Sequence, residues 1–274
     1  MSRKLTTWLK DSFQIMISAK KISDNFSRGT AAYDRMASCQ KHVAEKLSAM
    51  IFKQVQAPGA GVKILELGCG TGFLTEKLME KFPACEFTIT DLSGKMLSRC
   101  VEKTSAIAVR KKEFILCDFD KSIPDGGFDM VVSSMAFQWS SGLERLVSSI
   151  YSRLNPDGRI FFSMLIEPTF ATLRETFLEL KIPYPGPQFN SDSQVRGIFS
   201  AFSGKHFHAE TFKERYKDTA SFLRHLNSIG AGNPTCRGVL PGRLRNIIEM
   251  HNSKHSASNF IEAEYRILYG ALKK

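Results

Sequence analysis

The sequence has no stretch of the roughly 18 consecutive apolar residues that a membrane-spanning helix requires, so no membrane association through a span is expected. It has no C-x-x-C pair either. Cys39, Cys69, Cys85, Cys100, Cys117 and Cys236 are scattered singly, which suits a reducing cytoplasm better than a disulfide framework or a zinc site. The N-terminal apolar residues are interrupted by Lys10, Asp11, Lys20 and Lys21, which makes a poor secretory signal. A cytoplasmic location is expected. No internal repeat, low-complexity tract or RNA-binding module is readable, so nucleic acid is not expected as a partner. His251 and His255 stand four apart with no third ligand nearby. They are read as one exposed helix face, and no metal is expected.

The 274 residues fit one large domain, or one domain with a cap, and an apolar content of 43% is ample for a core. The net charge of +11 is unevenly distributed: +6 over residues 1–53, −1 over 54–189 and +6 over 190–274. Basic flanks around a neutral body point to an acidic partner, or serve only as a solvated surface.

Strand-like and helix-like segments alternate over residues 62–165. Strands are expected at Val62–Leu67, Phe87–Thr90, Phe114–Cys117, Phe128–Ser133 and Arg159–Leu165, and helices at 73–82, 93–103 and 143–154. Such alternation implies parallel strands with helices on both faces. Beyond it, helices are expected at Thr169–Leu180, Asp192–Phe202, Thr219–Ile229 and Leu244–Met250, and strands at His206–Tyr216 and Phe260–Leu272. The Pro-rich break at 182–187, with its flanking helices, reads as an inserted lid. The organisation expected is a basic helical segment over the active site (1–55), a Rossmann-like core (56–166), a lid (167–203) and a C-terminal part completing the sheet (204–274).

The most informative run is Ile64-Leu65-Glu66-Leu67-Gly68-Cys69-Gly70-Thr71-Gly72. An apolar strand runs into an acidic residue and three glycines at alternate positions, and a helix follows. The spacing is not the G-x-G-x-x-G of dinucleotide enzymes, and no Lys-Ser/Thr follows as in a P-loop. Glycines allow a tight turn and close approach to a ligand, and the helix start offers free N–H groups. Ligands on parallel sheets bind beyond the carboxyl ends of the strands, where Glu66, Gly68, Asp91, Asp118 and Ser133 all fall. Asp91 is placed to accept two ribose hydroxyls, with Ser93 free to cap the next helix. Met96 either packs on a base or is a core residue. Asp118 and Phe119 are placed to receive and cover an adenine.

Together these residues resemble the class I S-adenosylmethionine (SAM) methyltransferases. Ser133-Ser134-Met135-Ala136-Phe137-Gln138-Trp139, Leu154-Asn155-Pro156-Asp157-Gly158 and Phe162-Ser163-Met164-Leu165 are similar to the malonyl-acyl-carrier-protein O-methyltransferases of biotin synthesis. So are Ile22–Arg28 with Tyr33, the segment 222–233 containing Ile229-Gly230-Ala231, and Tyr265–Gly270. Ser134, Phe137, Asp157 and Met164 depart from that family's usual residues.

The resemblance implies an α/β, Rossmann-like class I fold with helices on both faces of the sheet and a small helical lid. It implies SAM as cofactor and S-adenosylhomocysteine (SAH) as product, with Glu66, Gly68, Cys69, Gly70, Gly72, Asp91, Leu92, Met96, Asp118, Phe119 and Ser133 around the cofactor. Arg28, Tyr33, Gln138 and Trp139 are candidates for the acceptor side, although Arg28 also fits a solvated helix charge and Trp139 a core aromatic. The implied reaction is methylation of the free carboxylate of a malonyl thioester. Acidic acyl carrier protein is the partner, with malonyl-CoA as a second form of the substrate. No Asn-Pro-Pro-Tyr run marks an amino methyltransferase. A carboxylate acceptor, with a pKa of about 4, needs no general base. Another small acid of the aconitate type, or a non-catalytic SAM-fold binding protein, stays open at this level.

Overall fold

The computed structural model describes residues 19–56, 58–230, 241–256 and 259–274. Ala231–Asn233 and Cys236, singled out above, lie outside the described residues. Seven strands form one sheet in the order β3-β2-β1-β4-β5-β7-β6. The strands are β1 (Lys63–Leu67), β2 (Glu86–Asp91), β3 (Lys111–Leu116), β4 (Phe128–Ser134), β5 (Leu154–Leu165), β6 (Ser203–Tyr216) and β7 (Ile261–Lys273). The first five run parallel, and β7 is antiparallel to both β5 and β6. The helices, among the described residues, are α1 (Ala19–Met36), α2 (Ser38–Gln54), α3 (Phe73–Lys81), α4 (Gly94–Thr104), α5 (Leu143–Arg153), α6 (Ala171–Glu179), α7 (Asp192–Ile198), α8 (Thr219–Ser228) and α9 (Pro241–His255).

Period-two alternation sends successive strand residues to opposite faces. Ile64, Met130 and Val132 join α2, α3, α6 and α8 in one core. Leu65, Leu67, Val131 and Ile160 join α5 and α7 in the other. A sheet covered on both sides explains why the central strands read as nearly continuous apolar runs.

Three expectations change. First, β5 begins at Leu154 rather than Arg159, and residues 155–158 form an irregularity within the strand: pairing with β4 jumps between Phe128 and Met130, and Asp157 takes φ 64°. Second, the segment 167–203, read as a lid, packs along the flanks of the sheet: α6 enters the first core through Leu173 and Phe177, and α7 the second through Val195. Third, His251 does not lie on an exposed face. It is 1% exposed, with Nδ1 2.7 Å from Thr219 Oγ1 and Nε2 3.2 Å from Thr172 Oγ1. Burial, and then His255, push its pKa down to about 4, so it stays neutral as a strut between α9, α8 and α6.

Gly270 of β7 is paired with Phe162 of β5, and a Cβ there would lie 2.3 Å from the Phe162 ring. Gly270→Ala should destabilise the protein by about 1–3 kcal/mol through overpacking, readable as a lower urea midpoint at unchanged m-value. Wild-type stability of the variant would show that the Phe162 ring can step aside.

Candidate active site

A cavity of about 460 Å³ opens along the carboxyl edge of the sheet. It runs from the loop after β3, past the ends of β2 and β1, to the end of β4. The floor is the glycine loop. Gly68 has φ 77°, and a Cβ on it would meet the Ala136 Cβ at 2.4 Å, so only glycine allows the β1 and β4 ends to approach this closely. Gly70, by contrast, faces open space.

Asp91 is the polar centre. Its Oδ2 accepts the Gly70 N–H at 2.8 Å and its Oδ1 accepts the Ser93 N–H at 2.7 Å. Each carboxylate oxygen keeps further accepting capacity, which is what two adjacent ribose hydroxyls require. Burial pushes the Asp91 pKa up to about 6, against the lowering effect of its backbone hydrogen bonds. Ser93 caps α4, its Oγ accepting the Met96 N–H at 3.3 Å. Asp118 and Phe119 lie at the β3 end of the same wall. Asp118, Asp120 and Asp91 outnumber the wall's one described cation, Lys121, which pairs with Asp118 at 3.3 Å. An acidic wall suits a sulfonium cation, so the residues present fit SAM: Asp91 for the ribose, Asp118 and Phe119 for the adenine, and the glycine loop for the amino-acid end.

The roof is α1. Ala19, Ile22, Phe26 and Tyr33 share one helical face by their spacing and line the cavity. Alongside, the Ser23 hydroxyl donates to Leu92 O at 3.2 Å, Ser27 and Ser93 hydroxyls lie 2.8 Å apart, and the Thr71 hydroxyl donates to Asp34 at 2.5 Å. Lys103 reaches Asp34 at 3.0 Å. Phe26 meets Trp139 edge-on at 5.5 Å. Ile229 packs with Tyr33, Ala37 and Met96. Gly230 sits so close that a Cβ would lie 2.7 Å from Asn25 O and Phe26 Cα.

Of the residues singled out from sequence, Gly68, Cys69, Gly70, Asp91, Leu92, Met96, Asp118, Phe119, Tyr33 and Trp139 line the cavity. Five do not. Glu66 shares the face of Ile64 and is buried against α3, where Thr75 Oγ1 donates to it at 2.7 Å. Burial there pushes its pKa up to about 7. Gly72 caps α3 at φ 92°, backed by the Cys100 thiol 2.9 Å from where a Cβ would be. Ser133 points to the opposite face and donates to Leu67 O at 2.8 Å; its neighbour Ser134 reaches the cavity instead. Gln138 is turned aside by the 3₁₀ turn Phe137–Trp139. Residues three apart eclipse there, so Ala136 and Trp139 face the cavity, while Gln138 Nε2 donates to Met135 O at 2.7 Å. Arg28 is two positions, or about 200° of helical rotation, beyond Phe26. It is exposed and bonds to Asn25. Sequence reasoning missed Gln40 and Ala44 of α2 and the apolar face of α1, although the i, i+3, i+7 spacing of Ala19, Ile22 and Phe26 carries that signal.

Residues 64–158 match the methyltransferase domain family. The fold resembles YcgJ of Bacillus subtilis, with TM-score 0.59 and 16% identity over 84% of this chain and 98% of that one. It also resembles phosphoethanolamine N-methyltransferase 2 of Haemonchus contortus in complex with SAM, with TM-score 0.52 and 17% identity over 90% and 60%. The protein is a class I SAM-dependent methyltransferase. A malonyl-[acyl-carrier protein] O-methyltransferase of Neorickettsia risticii is 30% identical over 258 residues, 92% of this chain and 96% of that protein. Malonyl-[acyl-carrier protein] O-methyltransferase 1 of Ilyobacter polytropus is 28% identical over 263 residues, 94% and 96%. The chain belongs to this malonyl-[acyl-carrier protein] O-methyltransferase family.

Two carboxylates of one motif should behave oppositely. Asp91→Asn should weaken SAH binding by about tenfold or more, because a charged acceptor is lost, while Glu66→Gln should leave it nearly unchanged. Wild-type affinity should also fall as pH drops through about 6, the value for Asp91, since the ionised carboxylate is the acceptor. Calorimetry from pH 5 to 8 checks all three, and an Asp91→Asn protein with wild-type affinity would remove Asp91 from the site.

Ionising buried Glu66 costs stability. Its folded pKa, about 7, lies above the ordinary 4.5, so its contribution is complete below pH 4.5 and is lost as pH rises through 7. At pH 8, Glu66→Gln should therefore be more stable than wild type by roughly 2 kcal/mol, and the difference should shrink at pH 5. Equal pH slopes in thermal melts of the two proteins would count against it.

Proposed function

We propose that this protein methylates the free carboxylate of a malonyl group carried on acyl carrier protein, in the early, pimelate-forming part of biotin synthesis. The observation that carries this reading is the chemistry of the cavity wall. Its described residues include no histidine. The Cys69 thiol is pushed well up by burial and rests 3.4 Å from the Gly70 carbonyl. The Tyr33 phenol is likewise pushed up, first by burial and then by Asp91. Neither the thiol nor the phenol ionises near neutral pH, and a malonyl carboxylate has no proton to give there.

SAM, when bound, supplies an electrophilic methyl group. The chain's own residues do the rest. Asp91 fixes the ribose, the Gly68–Gly70 loop leaves room above β1, and Phe26 and Trp139 keep water from the acceptor. Tyr33 remains a neutral hydrogen-bond donor across the neutral pH range. The likeness to the malonyl-carrier relatives runs through α1 and the C-terminal strands as well as the core, which supports the malonyl acceptor over an unrelated small acid. Methylation would hide the charge of the free carboxylate, so that elongation enzymes with apolar pockets would accept the chain.

Lys20, Lys21 and Arg28 are exposed on α1, the helix that roofs the cavity, and they suit an acidic carrier protein. Arg196 does not share this position: it pairs with Asp192 at 2.9 Å on α7, which packs on the other face of the sheet. In methyl-transfer assays, malonyl carrier protein should outperform malonyl-CoA, free malonate and trans-aconitate. Raising salt should raise KM for the carrier-bound substrate far more than for malonyl-CoA, with kcat changing less. Lys20→Glu with Lys21→Glu should mimic the salt effect, while Arg196→Glu should not. Faster methylation of trans-aconitate would overturn the malonyl reading, and equal salt sensitivity of the two thioesters would remove the docking role of α1.

A further inference from the structure

The geometry points to Gln40 as the residue that holds the amino-acid end of SAM. This rests on the cofactor reading above and extends it to a group outside the glycine loop. The sheet order decides which part of the cofactor lies where. Asp118 and Phe119 follow β3, Asp91 ends β2, and the glycine loop follows β1 beside the end of β4. With adenine over β3 and ribose over β2, the amino-acid end falls over β1 and β4. Gln40 and Ala44, one turn apart on α2, line the cavity together with Gly68, Gly70 and Ser134.

This end of the cavity must receive an ammonium and a carboxylate. The Gly70 N–H is already taken by Asp91. The wall's described cation, Lys121, is held at the opposite end by Asp118. Gln40 meets the need as a neutral amide, with an acceptor for the ammonium and two donors for the carboxylate. Its Oε1 is buried and has no hydrogen-bond partner among the described residues. A buried carbonyl without a donor is costly, and rotation about the last side-chain bond exchanges its oxygen and nitrogen positions. Turned toward the cavity by that rotation, the oxygen accepts from a ligand ammonium.

The helix that presents Gln40 is fixed. Two residues before it, Ser38 donates to Glu214 of β6. Two residues after it, His42 Nε2 lies 3.1 Å from Glu210 of the same strand. Cys39 and Val43 are buried beneath it. The amide therefore stands on a braced support, as a group that positions a ligand must.

The test compares two ligands that differ only at the amino-acid end: SAH, and 5′-methylthioadenosine, which keeps the nucleoside and thioether but lacks the amino acid. In Gln40→Leu, the Kd for SAH should rise by about tenfold or more, as expected for lost hydrogen bonds to charged groups, while methylthioadenosine binds as in wild type. Gln40→Glu, which keeps the size but sets a carboxylate against the ligand's own, should show the same selective loss. Unchanged SAH affinity in both variants would overturn the assignment, including the case in which only KM for the malonyl substrate rises, which would place Gln40 on the acceptor instead. Equal weakening of both ligands in both variants would also overturn it, reducing Gln40 to a packing residue of α2. Wild-type protein that bound neither ligand would sink the methyltransferase reading and this assignment with it.

Discussion

The Asp91 carboxylate is the joint on which the active edge depends. One oxygen holds the glycine loop after β1 through Gly70, and the other holds the start of α4 through Ser93. These loops belong to neighbouring parallel strands, and no other side chain described in the structure bonds to both. Burial makes the arrangement demanding. A buried carboxylate favours ionisation only when hydrogen bonds replace the water it has lost. Two backbone donors meet part of that need and leave a remainder for ribose hydroxyls. The floor is thus organised by a buried carboxylate that keeps accepting capacity beyond its two loop contacts.

Around this joint the roof is assembled from parts far apart in sequence. Ser27 of α1 meets Ser93, Asp34 meets Thr71, and Gly230 lets the end of α8 press against the α1 backbone. Ile229 and Gly230, which carried part of the family resemblance, do not line the cavity. They seat the helix that does, in the cluster with Tyr33 and Met96. A motif specific to one group of methyltransferases therefore acts through the roof, while the motifs shared by the whole class lie in the floor.

The core of the fold was legible because a buried parallel sheet writes continuous apolar runs and turns into the sequence. The antiparallel pair β6–β7 was also read as strands, although β6 is an edge strand without a continuous apolar run, and its place in the sheet was not legible. What failed was direction at one-residue precision. Ser133 and Ser134 are adjacent serines at a strand end, and only the phase of β4 in the folded sheet tells which meets the cavity. Gln138 was lost to a 3₁₀ turn, whose threefold period carries no apolar signature in three residues. Glu66 fell in the right motif but on the inward face, since alternation pairs it with Ile64. Gln40 gave no local signal at all, because tertiary packing of α2 is what brings it to the cavity wall.

The division between floor and roof has a consequence for how such a protein can diverge. The cofactor is gripped by loops that are continuous with the strands, and altering them disturbs the sheet. The cavity is roofed by one helix, attached through side-chain hydrogen bonds and a short joint at Ala37, whose N–H still bonds to Tyr33 O at 2.7 Å. Exchanging Ile22 or Phe26 reshapes the cavity roof while the strands keep every ladder bond. The shape of the cavity can therefore change by substitutions on a single face of α1, at little cost to the sheet beneath it.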